Sequence, residues 1–242
     1  MNIKGYSDKG VVRNSNQDAF MSGLTDNGIA WAVVCDGMGG ANGGNVASRL
    51  AVDHFSAALK AGLRPNMSEH SVKNLLISAI ASANIRVFDK SKESSEFNGM
   101  GTTVVAVLVI GSTAYFIHAG DSRAYVLSGD ELQQITRDHS IVQSMIEDGR
   151  LTVEEARFHP RKNVITRALG VDEFVEPEFN MCDLNYGDIV LLCTDGLTNF
   201  VDYKEIVGIL KSTDENKAES LVNEANKNGG GDNITAVVLQ NI

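Results

Sequence analysis

Only three prolines stand among 242 residues, so proline's fixed φ does little to set the turns of this chain. That task falls to 23 glycines, which reach positive φ at no steric cost. Aromatic residues are few, at 6%. The three cysteines, Cys35, Cys182 and Cys193, are an odd set without CxxC spacing, each in or beside an apolar run; this suits buried thiols in a reducing compartment rather than a disulfide framework. Positive charge is in the minority: 21 Lys and Arg against 31 Asp and Glu leave a formal net charge of −10. Such a surface repels nucleic-acid phosphates and anionic lipid, so neither nucleic acid nor membrane is an expected partner. Val104 to Ile110, as long an apolar stretch as the chain has, is far too short to cross a bilayer, and MNIKGYSDKG has no apolar signal region. A cytoplasmic protein is expected.

The hydrophobic share, 43%, is enough for one globular domain, which at this length buries roughly 70–75% of the surface its unfolded chain exposes. No disulfide or metal staple is needed, so any metal would serve chemistry. The run Ile29 to Cys35, halted by Asp36-Gly37, reads as a buried strand. GMGGANGG reads as a loop and Asn45 to Ala61 as a helix. A second helix follows the candidate cap Ser68, with Val72, Leu75, Leu76, Ala79, Ile80, Ala83 and Val87 at helical spacing. From Gly101 to Thr136 the pattern is strands with short turns, which predicts a β-meander of antiparallel neighbours. Ile141 to Leu169 is more polar, with two short helical segments and the basic stretch HPRK. A strand at Ile189 to Thr194, helices at about Tyr203 to Leu210 and Asn216 to Asn226, and a strand at Ile234 to Leu239 complete the chain. Helices and strands arrive in blocks, the pattern of an α+β fold with antiparallel sheets flanked by helices.

Three aspartates stand at ends of apolar strands: Asp36, Asp195 and Asp232. Any one of them reads as an ordinary turn residue. As a set, with Asp18 and Asp121 as further candidates, they would repel one another beside a core unless cations lay between them. An oxygen-only set favours a hard ion such as Mg²⁺ or Mn²⁺, and no His/Cys zinc spacing is present. The glycines after Asp36 match neither GxGxxG, because Asn42 stands where the third glycine belongs, nor a P-loop, because GK[ST] is missing. The five histidines, His54, His70, His118, His139 and His159, are scattered and read as surface or satisfied core residues. In RNSNQD, Arg13 reads as solvated.

Taken together, GYSDKGVVRNSNQDAF, VVCDGMGGANGGNVAS, GMGTTVVAVLV, HAGDSRAYVL, ITRDHS, HPRKNVITRALG, LLCTDGLTNFV and GGDNITAVVL resemble, in order and spacing, the metal-dependent (type 2C) serine/threonine protein phosphatases, most closely the compact bacterial branch. The resemblance runs from about Gly5 to Leu239. It implies an α+β four-layer α-β-β-α sandwich of two antiparallel sheets, a single catalytic domain over 1–242, and a flap insertion at about 143–168. It implies hydrolysis of phosphoserine and phosphothreonine by a metal-bridging water or hydroxide, acting on phosphorylated proteins and opposing a serine/threonine kinase, with the enzyme a monomer. Mn²⁺ or Mg²⁺ would be bound, two ions tightly and a third more weakly. By motif match, Asp36 would bridge two metals, the Gly37 carbonyl would bind one, and Asp195 and Asp232 would complete the other. Asp121 would help hold the third with Asp195. Asp18 would orient metal-bound water, Arg13 would grip the substrate phosphate, and Asn233 would be a supporting polar group. One departure stands out: relatives carry a histidine where this chain has Met38 or Ala41, and both candidate proton donors are missing. Two other readings go with the same fold: a catalytically inactive phosphoprotein-binding module, which three clustered carboxylates argue against, and a phosphatase of non-protein phosphate esters.

Overall fold

The computed structural model describes residues 1–241, and within them the side chains of Ala41 and Asn42 lie outside the described set. In chain order the elements are β1 (Asn2–Asp8), β2 (Asp18–Leu24), β3 (Ala30–Met38), α1 (Gly40–Gly62), α2 (Glu69–Glu93), β4 (Gly101–Thr102), β5 (Val104–Ile110), β6 (Thr113–Ala119), β7 (Arg123–Ser128), β8 (Glu131–Gln134), α3 (Ile141–Glu147), α4 (Val153–Phe158), β9 (Glu178–Asp183), β10 (Ile189–Cys193), α5 (Asp195–Thr198), α6 (Tyr203–Lys211), α7 (Lys217–Lys227) and β11 (Ile234–Gln240). One sheet has the strand order β1-β11-β10-β7-β8; the other runs β2-β3-β5-β6-β9, with β4 paired to β3. All these pairings are antiparallel.

The strand sequences dictate the layering. In β3, Trp31, Val33 and Cys35 join the core beneath α1 and α2, while Ala30, Ala32 and Val34 face the core between the sheets. Side chains alternate across a strand, so a strand covered on both faces must be apolar at every position, and AWAVVC is. β10 repeats the logic, with Ile189, Leu191 and Cys193 under α6 and α7, and Val190 and Leu192 between the sheets. The outcome is the α+β, helix-sheet-sheet-helix sandwich. The cap at Ser68 holds: its side chain accepts from the Ser71 amide. Asp202 and Glu205 close a reciprocal cap at the start of α6.

Three expectations need correction. β3 is not halted by Asp36-Gly37 but runs on to Met38, because Gly37 and Met38 pair with Thr102 and Gly101 of β4. GMGGANGG is a loop only in part, because α1 begins at Gly40 and takes in Gly43 and Gly44. Helix propensity argues against two glycines there, but the Gly44 Cα approaches Gly37 so closely that a Cβ on it would lie 2.6 Å from the Gly37 carbonyl oxygen. The meander is also broken. β5 and β6 form a hairpin, as do β7 and β8, yet β6 and β7 belong to different sheets. Gly120, at φ +118, lets the chain turn the corner from one sheet to the other. Short connections imply antiparallel neighbours only when both strands stay in one sheet. β1, β2 and β9 are strands that hydrophobic patterning does not single out; each is at an edge and mostly half-buried.

Candidate metal and phosphate site

The two sheets open at one end, and five aspartates come to that end from different elements. Asp18 begins β2 and lies in register with Asp36 near the end of β3. Asp195 is the first residue of α5, directly after β10, and Asp232 immediately precedes Asn233 and β11. Asp121 sits on the corner between β6 and β7. The sheet change that breaks the meander is therefore what delivers Asp121 to the mouth.

Backbone and hydroxyl contacts set these carboxylates in place. The Asp36 amide donates to Thr103 Oγ1 (3.0 Å), and its carbonyl accepts from Thr102 Oγ1 (2.8 Å) and the Thr103 amide (2.9 Å). Thr194 Oγ1 and Thr235 Oγ1, both from the other sheet, donate to Asp18 Oδ2 at 2.9 and 2.7 Å. Asp18 Oδ1 is buried and has no hydrogen-bond partner. Asn199 Nδ2 donates to Asp195 Oδ2 (3.0 Å). At the rim, Arg13 Nη2 donates to Asp232 Oδ2 at 2.9 Å, with the arginine side chain 54% exposed.

Burial and mutual repulsion govern the protonation of this cluster. Asp18 is pushed up to about 7, first by burial and then by Asp195 and Asp232, against the pull of its two threonines. Asp121 is pushed up to about 8 by burial, Asp195 and Asp138. Asp36 rises well above the usual carboxylate range through burial and the neighbouring aspartates, and Asp195 rises through burial and Asp232. The donor set fits divalent cations on its own chemistry. It is all oxygen, it holds an orphaned buried carboxylate oxygen, and Gly44 leaves the Gly37 carbonyl uncovered where any Cβ would crowd it. Two positions that could have carried a proton donor do not. Met38 ends β3 opposite Gly101, and the side chain of Ala41 is outside the described residues.

A second cluster was not anticipated from the scattered histidines. His118, His139 and Glu178 bring three donor atoms within 4.8 Å of one another, the one such trio among the described residues, so the mouth carboxylates surround a wider space. The trio does not suit a single ion. The two rings stack at 4.6 Å with planes 9° apart, so their in-plane lone pairs run side by side rather than converging. His118 Nε2 is engaged with the Arg137 carbonyl (2.8 Å), His139 Nδ1 accepts from the Gly120 amide (3.2 Å), and Arg167 Nη1 lies 3.2 Å from His139 Nε2, where its charge opposes a cation. Burial, His118 and Arg167 push His139 down to about 4. The stack is a neutral buttress behind the Gly120 corner.

A cleft of about 780 Å³ runs outward from Asp121 and Asp195 between α3 and α4 on one side and the Phe200–Ile206 segment on the other. The segment carrying α3 and α4 returns to the core where Ile165 bridges Ser140.

The sequence readings thus come together: Asp18, Asp36, Gly37, Asp121, Asp195, Asp232 and Arg13 share one end of the sandwich. Missed were Thr102, Thr103, Thr194 and Thr235: Thr194 and Thr235 stand close in sequence to Asp195 and Asp232, whereas nothing local ties Thr102 and Thr103 to Asp36, more than sixty residues away. Residues 11–225 match the family model described as "Protein phosphatase 2C". A Listeria monocytogenes protein named serine/threonine phosphatase stp is 37% identical over 244 residues, covering 99% of this chain and 96% of that protein. Among solved structures, the S. agalactiae serine/threonine phosphatase superposes with a TM-score of 0.91 at 32% identity, covering 98% of each chain. The catalytic domain of the serine threonine protein phosphatase PstP, described in complex with two manganese ions, superposes with a TM-score of 0.85 at 34% identity, covering 98% of this chain and 96% of that one.

Proposed function

This chain belongs to the protein phosphatase 2C family and is a metal-dependent protein serine/threonine phosphatase; on that premise we propose that the aspartate-lined mouth is its active site, with Arg13 as the phosphate anchor. The observation that carries the reading is the convergence of buried carboxylates from both sheets on one space with an arginine at its rim.

Asp36, the Gly37 carbonyl, Asp195 and Asp232 would hold two tightly bound ions, Mn²⁺ or Mg²⁺, and Asp121 with Asp195 a weaker third. When bound, such ions supply a water acidic enough to attack phosphorus at neutral pH and positive charge to offset the phosphoryl oxygens. Arg13 offers a planar fork that takes two phosphate oxygens at once and turns phosphorus toward the mouth. Asp18 has a buried Oδ1 without a hydrogen-bond partner while Oδ2 is anchored by Thr194 and Thr235, which leaves one carboxylate oxygen to orient a water. Neither Met38 nor Ala41 can donate a proton to the departing serine or threonine oxygen.

The single domain, with residues 143–168 as a flap beside the cleft, would act as a monomer on phosphoproteins made by a serine/threonine kinase. The three free cysteines are in keeping with a cytoplasmic location. Among the described residues, no helix is long and apolar enough to cross a membrane.

Phosphate release from phosphothreonine and phosphotyrosine peptides, with Mn²⁺ and with excess chelator, tests the proposal. Mn²⁺-dependent release from phosphothreonine, abolished in Asp36→Asn and Asp232→Asn, is expected. Full turnover in excess EDTA would overturn it.

A further inference from the structure

Arg13 rides on an exposed loop. Val11 and Val12 beside it are each 66% exposed, so apolar packing does little to fix its course. What fixes it comes from the other end of the chain. The Asn233 side chain, 6% exposed, spends its hydrogen bonds on this one loop. Its Nδ2 donates to the Lys9 carbonyl and to the Ser15 carbonyl, both at 2.8 Å, and its Oδ1 accepts from the Gln17 amide at 2.8 Å. A carboxamide has two donor hydrogens and two acceptor lone pairs; here both hydrogens and one lone pair are used, on residues either side of Arg13. The neighbouring backbone closes the same seam. The Val11 amide donates to the Gly230 carbonyl (2.9 Å), and Gly10, at φ +77, comes so near that a Cβ on it would lie 2.1 Å from the Asp232 carbonyl oxygen.

We propose that Asn233 is a positioning residue for substrate phosphate: it ties both ends of the Lys9–Gln17 loop to the turn bearing Asp232, so that the Arg13 guanidinium is held over the aspartate mouth before substrate arrives. This rests on the reading of Arg13 as the phosphate anchor. Asn233 itself touches no substrate. Aspartate cannot replace it, because it would keep the acceptor for Gln17 but lose both donors and set a charge against two carbonyl oxygens. Loose placement of a binding group lowers the population of the productive geometry, and small displacements can cost on the order of 10²-fold in rate.

The test compares Asn233→Ala and Gly10→Ala with the wild type, each also in an Arg13→Ala background. Phosphothreonine-peptide kinetics, Mn²⁺ affinity by calorimetry, and hydrogen exchange at the Gln17 amide are read. The expected result for Asn233→Ala is a KM raised about tenfold, kcat within about threefold, Mn²⁺ affinity within about threefold and faster exchange at Gln17. In the Arg13→Ala background it should add less than about twofold, since the loop then has nothing to position. A KM increase of the same size in both backgrounds would overturn the proposal, as would an unchanged KM alongside lost protection at Gln17, or unchanged protection. If Asn233→Ala does not fold, Gly10→Ala loosens the same seam by another route and is held to the same outcomes. Arg13→Ala without effect on KM would instead sink the anchor role, and the proposal with it.

Discussion

Arg13 sits 2.9 Å from Asp232, which we propose as a metal ligand, so the fork we propose for substrate phosphate also faces a carboxylate. Its replacement by alanine should raise KM for a phosphothreonine peptide about 10- to 100-fold with a smaller change in kcat. Sequence alone suggests that metal affinity would not change. The observed pair adds a correction: with its cationic competitor removed, Asp232 should bind Mn²⁺ more tightly, by less than about fivefold because a solvent-exposed pair is worth only about 0–1 kcal/mol. Calorimetric titration of the metal-free variant checks the sign. Asp121→Asn should behave differently, leaving two tightly bound metals while turnover falls; metal analysis after dialysis against trace Mn²⁺ counts them. The missing histidines bear on leaving groups. A general acid contributes typically 10²- to 10⁴-fold and matters most for poor leaving groups, so kcat on an aryl phosphate should exceed that on a phosphothreonine peptide. Equal rates would show that no proton donor is lacking.

At the scale of elements, α2 does more than cover a sheet. Asn84, 1% exposed on its inner face, donates to the Asp172 and Glu173 carbonyls at 3.1 and 2.9 Å and accepts from the Gly170 amide at 2.8 Å. It thereby pins the chain after Leu169, whose amide and carbonyl both bond to Thr102, the residue that in turn holds Asp36. Asn84→Ala leaves a buried N–H and two carbonyls without partners, a loss of about 2–3 kcal/mol. A denaturant melt measures it, and a change under about 0.5 kcal/mol would mean that water or another donor satisfies these groups. Periodicity announced α2 and its cap. It could not announce that one polar residue on the buried face serves the site, since Asn84 breaks the apolar stripe without saying what it meets.

For the molecule as a whole, the aspartate mouth sets how stability depends on pH and metal. Without metal, Asp18 and Asp121 hold their protons to about 7 and about 8, against 3.8 for an ordinary aspartate. Between pH 4 and 8 the folded state therefore binds more protons than the unfolded one, and stability falls as pH rises. This contribution is complete below about pH 4 and is lost as pH passes through 7 to 8. Calorimetric scans in chelator should show Tm dropping from pH 6 to 8.5. Mn²⁺ should raise Tm, and by more at high pH, because the ligands must be deprotonated to bind it. A Mn²⁺ effect independent of pH would mean that the raised carboxylates are not its ligands.

By itself the sequence determined the central strands, the four longest helices and the chemical nature of the site, because those features are local. Alternation and helical periodicity are written into neighbouring residues; Asp-Gly after an apolar run marks the end of β10, though not of β3, which continues through Asp36 and Gly37. The ordered motifs carried the family and, with it, the proposal of Arg13, Asp18, Asp36, Asp121, Asp195 and Asp232 as site residues. Only the tertiary structure decided which sheet each strand entered. A three-residue connection is compatible with a hairpin and with a corner between sheets, and the difference lies in whether β7 pairs with β6 or with β10 far along the chain. Three edge strands, β1, β2 and β9, were hidden because half-buried faces dilute alternation. The supports of the site, Thr194 and Thr235 under Asp18, Asn84 under the Leu169 seam and Asn233 under the Arg13 loop, join residues far apart in sequence. Their partners are largely backbone amides and carbonyls, which every residue carries and no sequence pattern distinguishes.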